Sequence, residues 1–389
     1  MPKIENLAVN SATILLLSAY DAKSHQHWRR LVRQSLTDYD WTQIALPDRH
    51  FSWRIRGNSL TFASQYRELL SQKYDALIVT SMVDLSALRG FIPHLATIPT
   101  LIYFHENQFD YPASVPRPFD ANRLNSQLTS IYSLLCADKI LFNSLYNQQT
   151  FFTGANALIK KMPDGVAKGL LDAAEEQSSV LAVPISDDCW CKRAVPNQSN
   201  LKPVEIVWNH RWEYDKQPQV LFEALKLLKQ AEIQFKIHIL GQSFRKVPDC
   251  FAIAKSFLAD EILTWGYQPL EQYRQILAQA DIVVSTAIHD FQGLSMLEAM
   301  ASGCLPIAPN RVAYPEYIAK QDLYSVTDKN HEAVSLFTAL KDKIQMIENG
   351  RISHQLRWDI SHKIKHYSQQ TLVAQYQTVI QKLIGMTKK

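Results

Sequence analysis

The stretch Trp208-Asn209-His210-Arg211-Trp212-Glu213-Tyr214-Asp215-Lys216 decides how this chain is read, because it leaves a short apolar run, Glu205–Trp208, and enters a helical pattern near Gln217-Pro218. Strand, polar loop and helix in that order make up the repeating step of a parallel sheet, whose neighbouring strands need a helical crossover. The loop carries two cations five residues apart, Arg211 and Lys216. From one strand-to-helix loop they can converge on a diphosphate and neutralise charge on a leaving phosphate oxygen. Such a loop also occurs as a solvated surface turn, so its neighbours must be read with it.

Outward from this point the same step recurs. Strands are expected at Thr13–Ser18, Ala76–Thr80, Thr100–Phe104 and Lys139–Phe142, and again at Glu205–Trp208, Lys236–Leu240, Asp281–Ser285 and Leu305–Ala308. A chain of 389 residues is too long for one ordinary core. The expected fold class is therefore α/β, with two doubly wound Rossmann-like domains facing a cleft. Residues 1–190 form the first domain, on the acceptor side, and 204–365 the second, on the donor side. A linker over 191–203 joins them, marked by Pro196, Asn197, Ser199, Asn200 and Pro203 and by the absence of either period. Leu372, Val373, Tyr376, Val379, Ile380 and Leu383 recur at helical spacing, giving a C-terminal helix over 366–389 with room to pack back on the first domain.

Composition removes several functions. No apolar run reaches the roughly 18–20 residues that span a bilayer, and Ile14–Leu17 is too short for a signal-peptide core. The expectation is a cytoplasmic protein without stable membrane association. A net charge of +4 falls short of the basicity that announces a nucleic-acid binder, and five scattered cysteines make neither a disulfide framework nor a zinc set. Among 11 glycines there is no G-x-G-x-x-G fingerprint and no phosphate loop, which counts against hydride transfer and ordinary ATP hydrolysis. Asp38-Tyr39-Asp40 has the spacing of a metal-binding acidic pair. It lies among Ser35, Thr37, Trp41 and Thr42 rather than at the end of a strong strand, so neither a metal nor a cofactor is expected.

Further on, Asp290-Phe291-Gln292-Gly293-Leu294-Ser295-Met296-Leu297-Glu298-Ala299-Met300-Ala301-Ser302-Gly303 follows the strand ending at Ser285. A helix starting near Gly293 would aim free backbone N–H groups at an anion, with Gln292, Gly293 and Leu294 at its mouth. Glu298, a turn and a half inside, is placed for ribose hydroxyls, and Asp290 for the donor sugar.

These two segments resemble family 4 of the retaining glycosyltransferases, which have the two-domain B-type fold. The resemblance implies that Arg211 and Lys216 bind the donor diphosphate. It sets Glu298 and Asp290 on the family's pair of glutamates eight apart, with Asp290 one methylene shorter. In the first half Ser24-His25, the segment from Leu46-Pro47 through Trp53-Arg54-Ile55-Arg56-Gly57, Tyr103-Phe104-His105-Glu106-Asn107-Gln108 and Phe142-Asn143-Ser144 are similar to the tRNA-queuosine mannosyltransferase group. That resemblance implies GDP-mannose as donor and the cyclopentenediol of queuosine, at the wobble position of aspartate tRNA, as acceptor. It also implies retention of configuration, with the departing phosphate oxygen taking the acceptor's proton.

His105 and Glu106 directly follow a buried strand, so they sit at the carboxyl edge where ligands of such sheets bind. His105 is placed to touch the donor sugar or orient the acceptor hydroxyl, and His25, after the first strand, to meet donor sugar or phosphate. Glu106 and Asn107 fall on the acceptor side. Arg49, Trp53, Arg54 and Arg56, interleaved with His50 and Phe51, combine groups for phosphate contact and base stacking. The alternative there is a solvated edge with an aromatic tucked into the core. Lys160-Lys161 near Phe151 and Phe152 suits RNA, an anionic membrane surface or simply the basic end of a helix. Three functions stay open: the tRNA-modifying enzyme, a related enzyme with a lipid or glycan acceptor, and a non-catalytic module that binds a nucleotide sugar or RNA.

Overall fold

The computed structural model describes residues 11–110, 121–163, 165–190, 202–243, 247–326 and 331–386. Contacts divide the chain into two compact units, one running to Pro184 and resuming at Leu372, the other spanning Ile185–Thr371. Residues 191–201 of the expected linker lie outside the described residues. Ile185–Trp190, inside the first domain by the expected boundary at 190, pack with the second unit: Ile185 bridges Ser368, and Ser302 donates to the Cys189 carbonyl.

In the first unit six parallel strands lie in the order β2-β1-β3-β4-β5-β6, comprising β1 (Thr13–Ser18), β2 (Asp40–Ala45), β3 (Ala76–Thr80), β4 (Thr100–Phe104), β5 (Lys139–Phe142) and β6 (Ser178–Val180). The inner strands are apolar on both faces. Leu15, Leu17, Leu77, Val79, Ile102 and Phe104 enter one core. Ile14, Leu16, Ile78 and Tyr103 are buried on the opposite face. There Trp28, on the helix Lys23–Ser35, stacks on Tyr103 at 4.4 Å, and its indole donates to the Tyr376 hydroxyl at 2.9 Å. Tyr376 belongs to the C-terminal helix Gln369–Ile384, whose Leu372, Tyr376, Ile380 and Leu383 are buried.

The second unit holds β7 (Val204–Asn209), β8 (Phe235–Leu240), β9 (Ile262–Gly266), β10 (Ile282–Val284), β11 (Leu305–Pro309) and β12 (Leu323–Tyr324), also all parallel, in the order β12-β11-β10-β7-β8-β9. Separate apolar clusters cover its two faces. In each sheet the winding direction reverses beside the first strand, between β1 and β3 and between β7 and β10. Ligands of doubly wound sheets bind outside the carboxyl ends at such a switch point.

The eight expected strands are the inner four of each sheet. All four edge strands, β2, β6, β9 and β12, went unread, because a half-exposed or very short edge strand lacks the continuous apolar run of an inner one. Asp40 opens β2 at its amino end. The Arg49–Arg56 stretch leads into the helix Phe51–Gln65, entered through His50 in the left-handed region at φ 56°.

Candidate functional site

The loop after β7 and the loop after β10 flank the switch point of the second sheet and are stitched together. The Trp208 indole donates to the Thr286 hydroxyl at 3.2 Å, and the Ile288 N–H donates to the Asp215 carbonyl at 2.8 Å. Lys216 is buried, with its ammonium 3.2 Å from the Asp215 carboxylate and donating to the His289 carbonyl. Burial opposes ionisation of Asp215, but Lys216, His289 and Arg211 outweigh it and hold the carboxyl below its usual range. Arg211 is about half exposed and pairs with Glu213 at 2.9 Å. Thus one cation is fixed in the floor of the loop while the other stands in solvent, and both act on His210 and Asp215.

Asp290 accepts the Gly293 N–H at 2.8 Å and the Tyr314 hydroxyl at 3.0 Å. Its burial raises the pKa, and Lys216, His210 and these two bonds bring it below the ordinary value. Its first task is therefore to shape the turn into the helix Leu294–Ala301, in addition to the sugar contact expected from sequence. Gly293 opens that helix at φ 76°, and no side chain caps it, so its first-turn N–H groups suit an anion. A Cβ at Gly293 would overlap the Tyr317 hydroxyl. Gln292 is buried beside the turn, and Leu294 is half-buried. Glu298 accepts the Tyr273 hydroxyl at 2.7 Å, and Asn209 donates to Tyr273 at 3.0 Å and to the Ser295 carbonyl at 2.9 Å.

Buried polar atoms without a hydrogen-bond partner are rare because each costs roughly 1–3 kcal/mol. In the second unit Asn209 Oδ1, His210 Nε2 and Trp212 Nε1, at and after the end of β7, are among them, as is the Tyr317 hydroxyl beside Gly293. None of the four was singled out from sequence. Their signal is tertiary: each becomes notable only when the chain closes around it.

The first unit repeats the pattern. Ser18, Thr80 and Ser81 at the ends of β1 and β3, and His105 after β4, carry unpartnered buried polar atoms. His25, at the start of the helix after β1, stacks on His105 with centroids 4.1 Å apart, and neither ring has a hydrogen-bond partner on either nitrogen. Glu106 reaches within 3.6 Å of His25. Burial, and then the neighbouring His25 and His27, push His105 well below the usual histidine range, so its imidazole is neutral at pH 7.

The acceptor-side expectations divide. Asn107 is held within the first unit. Its amide donates to Asn147 and Thr150 and its oxygen accepts the N–H groups of Phe109 and Asp110, so the side chain is engaged inside the protein. Arg54 turns inward and is buried. Arg49 and Trp53 are exposed, and Arg56 is half exposed while pairing with Asp84 at 2.9 Å. Trp53 is 58% exposed, so it is not the core aromatic of the alternative reading. Its ring lies against Gly57, where a Cβ would overlap it.

His210 supplies a pH prediction. Burial, then Lys216, push its pKa from 6.5 to about 3. Between those values the unfolded chain takes up a proton that the folded chain refuses, so stability falls as pH is lowered from about 7 toward 4. His105 adds a contribution of the same sign. The slope from one such site approaches about 1.4 kcal/mol per pH unit. Urea midpoints at pH 7.5 and 5.0 should differ accordingly, and the difference should shrink in His210→Asn; an equal difference in both proteins would contradict this assignment.

Two parallel sheets, with cations and an uncapped helix start at the switch point of the second, define a glycosyltransferase of the B-type fold. The sequence pattern described as "Glycosyl transferases group 1" matches residues 193–365. A glycosyltransferase from Rickettsia africae superposes with a TM-score of 0.66 at 15% identity, covering 96% of this chain and 99% of the other. A sucrose-phosphate synthase from Thermosynechococcus elongatus does so with a TM-score of 0.70 at 12% identity, again over 96% and 99%. Residues 13–185 match the family described as "tRNA-queuosine alpha-mannosyltransferase N-terminal". A tRNA-queuosine alpha-mannosyltransferase of Drosophila melanogaster is 31% identical over 322 residues, 81% of this chain and 84% of the relative. The chain belongs to the tRNA-queuosine alpha-mannosyltransferase family. Among the described residues no helix is long and apolar enough to cross a membrane, and no group of three or more His, Cys, Asp and Glu side chains could hold a metal ion.

Proposed function

We propose that the protein transfers mannose from GDP-mannose to queuosine in tRNA, in the cytoplasm and without a divalent metal. The observation that carries the donor half is the meeting of Lys216, Arg211 and the helix start at Gly293 on one switch point. In the proposed reaction the bond from the anomeric carbon to the diphosphate breaks, a bond to a queuosine hydroxyl oxygen forms on the same face, and a phosphate oxygen of the departing GDP takes the hydroxyl proton. Lys216 and Arg211 neutralise the leaving diphosphate, and the first-turn N–H groups of Leu294–Ala301 add to that field. Asp290 keeps lone pairs for sugar hydroxyls, and Glu298 faces the ribose. The stacked His25–His105 pair supplies ring nitrogens for hydroxyl groups, beside Glu106.

On the acceptor side Trp53, braced on Gly57, is an exposed ring suited to an unpaired base, and Arg49 and Arg56 suit the backbone around it. Base stacking on an aromatic ring contributes roughly 1–3 kcal/mol. Trp53→Ala should therefore raise the KM for tRNA about tenfold with kcat nearly unchanged; an unchanged KM would remove Trp53 from the acceptor site. For the function itself, purified protein, GDP-mannose and queuosine-containing tRNA should yield, after digestion, a nucleoside heavier by one hexose. Unmodified queuosine from a preparation that binds GDP-mannose would overturn the reading.

A further inference from the structure

The helix Lys23–Ser35 carries His25 in its first turn, at the carboxyl end of the first sheet, and continues with Arg29, Arg30 and Arg33. From His25 to Arg33 is eight residues, about 12 Å along the helix axis. Beside this second half lies an open cavity of about 460 Å³, lined by Arg29, Arg30, Arg33, Gln34 and Gln43. Its lining contains guanidinium and carboxamide groups and no carboxylate.

The floor is fixed in place. Arg29 forks onto Asp21, through Nε at 2.9 Å and Nη2 at 2.6 Å, and donates to the Gln43 side-chain oxygen at 3.2 Å. Gln43, on the edge strand β2, donates back to the Arg29 carbonyl at 3.1 Å. Asp21 is buried and offsets one of the three positive charges, which leaves two on the exposed Arg30 and Arg33. None of the exposed large apolar side chains lies on this helix or on β2, so the surface offers nothing to a lipid interior or an apolar protein partner.

We propose that this arginine groove is an RNA-backbone site, with Arg30 and Arg33 each taking a phosphate of the tRNA on which the proposed reaction occurs. The assignment rests on the tRNA reading above. Planar guanidinium groups match phosphate oxygens in pairs. A base held near the sheet's carboxyl end is followed by flanking backbone, and the groove lies one to two helical turns from that end. The donor reaction uses none of these arginines.

Arg30→Gln/Arg33→Gln tests the site. Each lost phosphate contact lowers the slope of log K against log salt by about one. In a titration of the full-length protein with tRNA, the double variant should bind about tenfold more weakly at moderate salt, with the slope shallower by about two. Its binding of GDP-mannose and its thermal melting should match the wild type, and Arg30→Lys/Arg33→Lys should retain most of the slope. Wild-type affinity and slope in the Gln variant, alongside continued mannose transfer to tRNA by the wild type, would overturn the groove and leave the function standing. Loss of binding to anionic phospholipid vesicles with tRNA affinity intact would also overturn it. A wild-type protein that binds no tRNA would overturn both.

Discussion

Lys216→Ala should lower mannose transfer by roughly 100- to 1,000-fold at saturating donor, the range typical for removing one preorganised group that stabilises transition-state charge. Lys216 is 7% exposed, beside an Asp215 that is 1% exposed. Removing one member of a buried pair leaves an uncompensated charge, and such losses run to roughly 3–5 kcal/mol of stability. The variant should therefore melt early as well as turn over slowly. Arg211→Ala separates the two effects, because its half-exposed side chain is expected to affect donor binding and rate with little change in melting. Full activity in a folded Lys216→Ala protein would contradict the role given to this lysine.

Gly241→Ala should cost on the order of 3 kcal/mol or more, although nothing here gives Gly241 a ligand. Gly241 is the first residue after β8 and has φ 134°, a conformation that L side chains rarely adopt, and an added Cβ would overlap the backbone carbonyl oxygen of His210. The neighbouring Trp212 N–H donates to the Gln242 carbonyl at 3.1 Å, so the β7 and β8 loops touch at this point. Relief requires moving the β7 loop, and with it Arg211 and Lys216. Donor affinity should fall along with the melting temperature. Gly90→Ala is the control: it lies in the helix Leu85–Phe91 with open space around it and should leave stability unchanged or raised by up to about 1 kcal/mol. Equal melting of the two variants would show that the close approach of the two loops carries no energy.

The inner strands were legible because each is buried on both faces and so shows as an unbroken apolar run, as in Ile14–Leu17 or Ile282–Val284. The edge strands were not, since Asp40–Ala45 and Ile262–Gly266 present solvent-facing positions that blur the pattern. The donor loops were legible through charge and spacing, because the chemistry of a diphosphate dictates which residue types must stand there. What sequence could not give was the division of labour within the loops. Nothing local distinguishes Lys216, buried and paired, from Arg211, exposed. The tyrosines 273, 314 and 317, which hold or face Glu298, Asp290 and Gly293, come from elsewhere in the chain. Asn107 shows the converse. It lies in a motif that resembles an acceptor site, yet its amide is occupied by Asn147, Thr150 and the turn that follows it.

The central claim concerns a sugar nucleotide held by Lys216, Arg211 and a helix start at the switch point of the second sheet. Calorimetric titration of GDP-mannose into the protein in the presence of a chelator tests it most directly. One donor should bind per chain to the wild type, and Arg211→Ala should weaken that binding by at least an order of magnitude while melting as the wild type does. Undiminished binding by Arg211→Ala, or binding that appears only when a divalent cation is restored, would contradict the account.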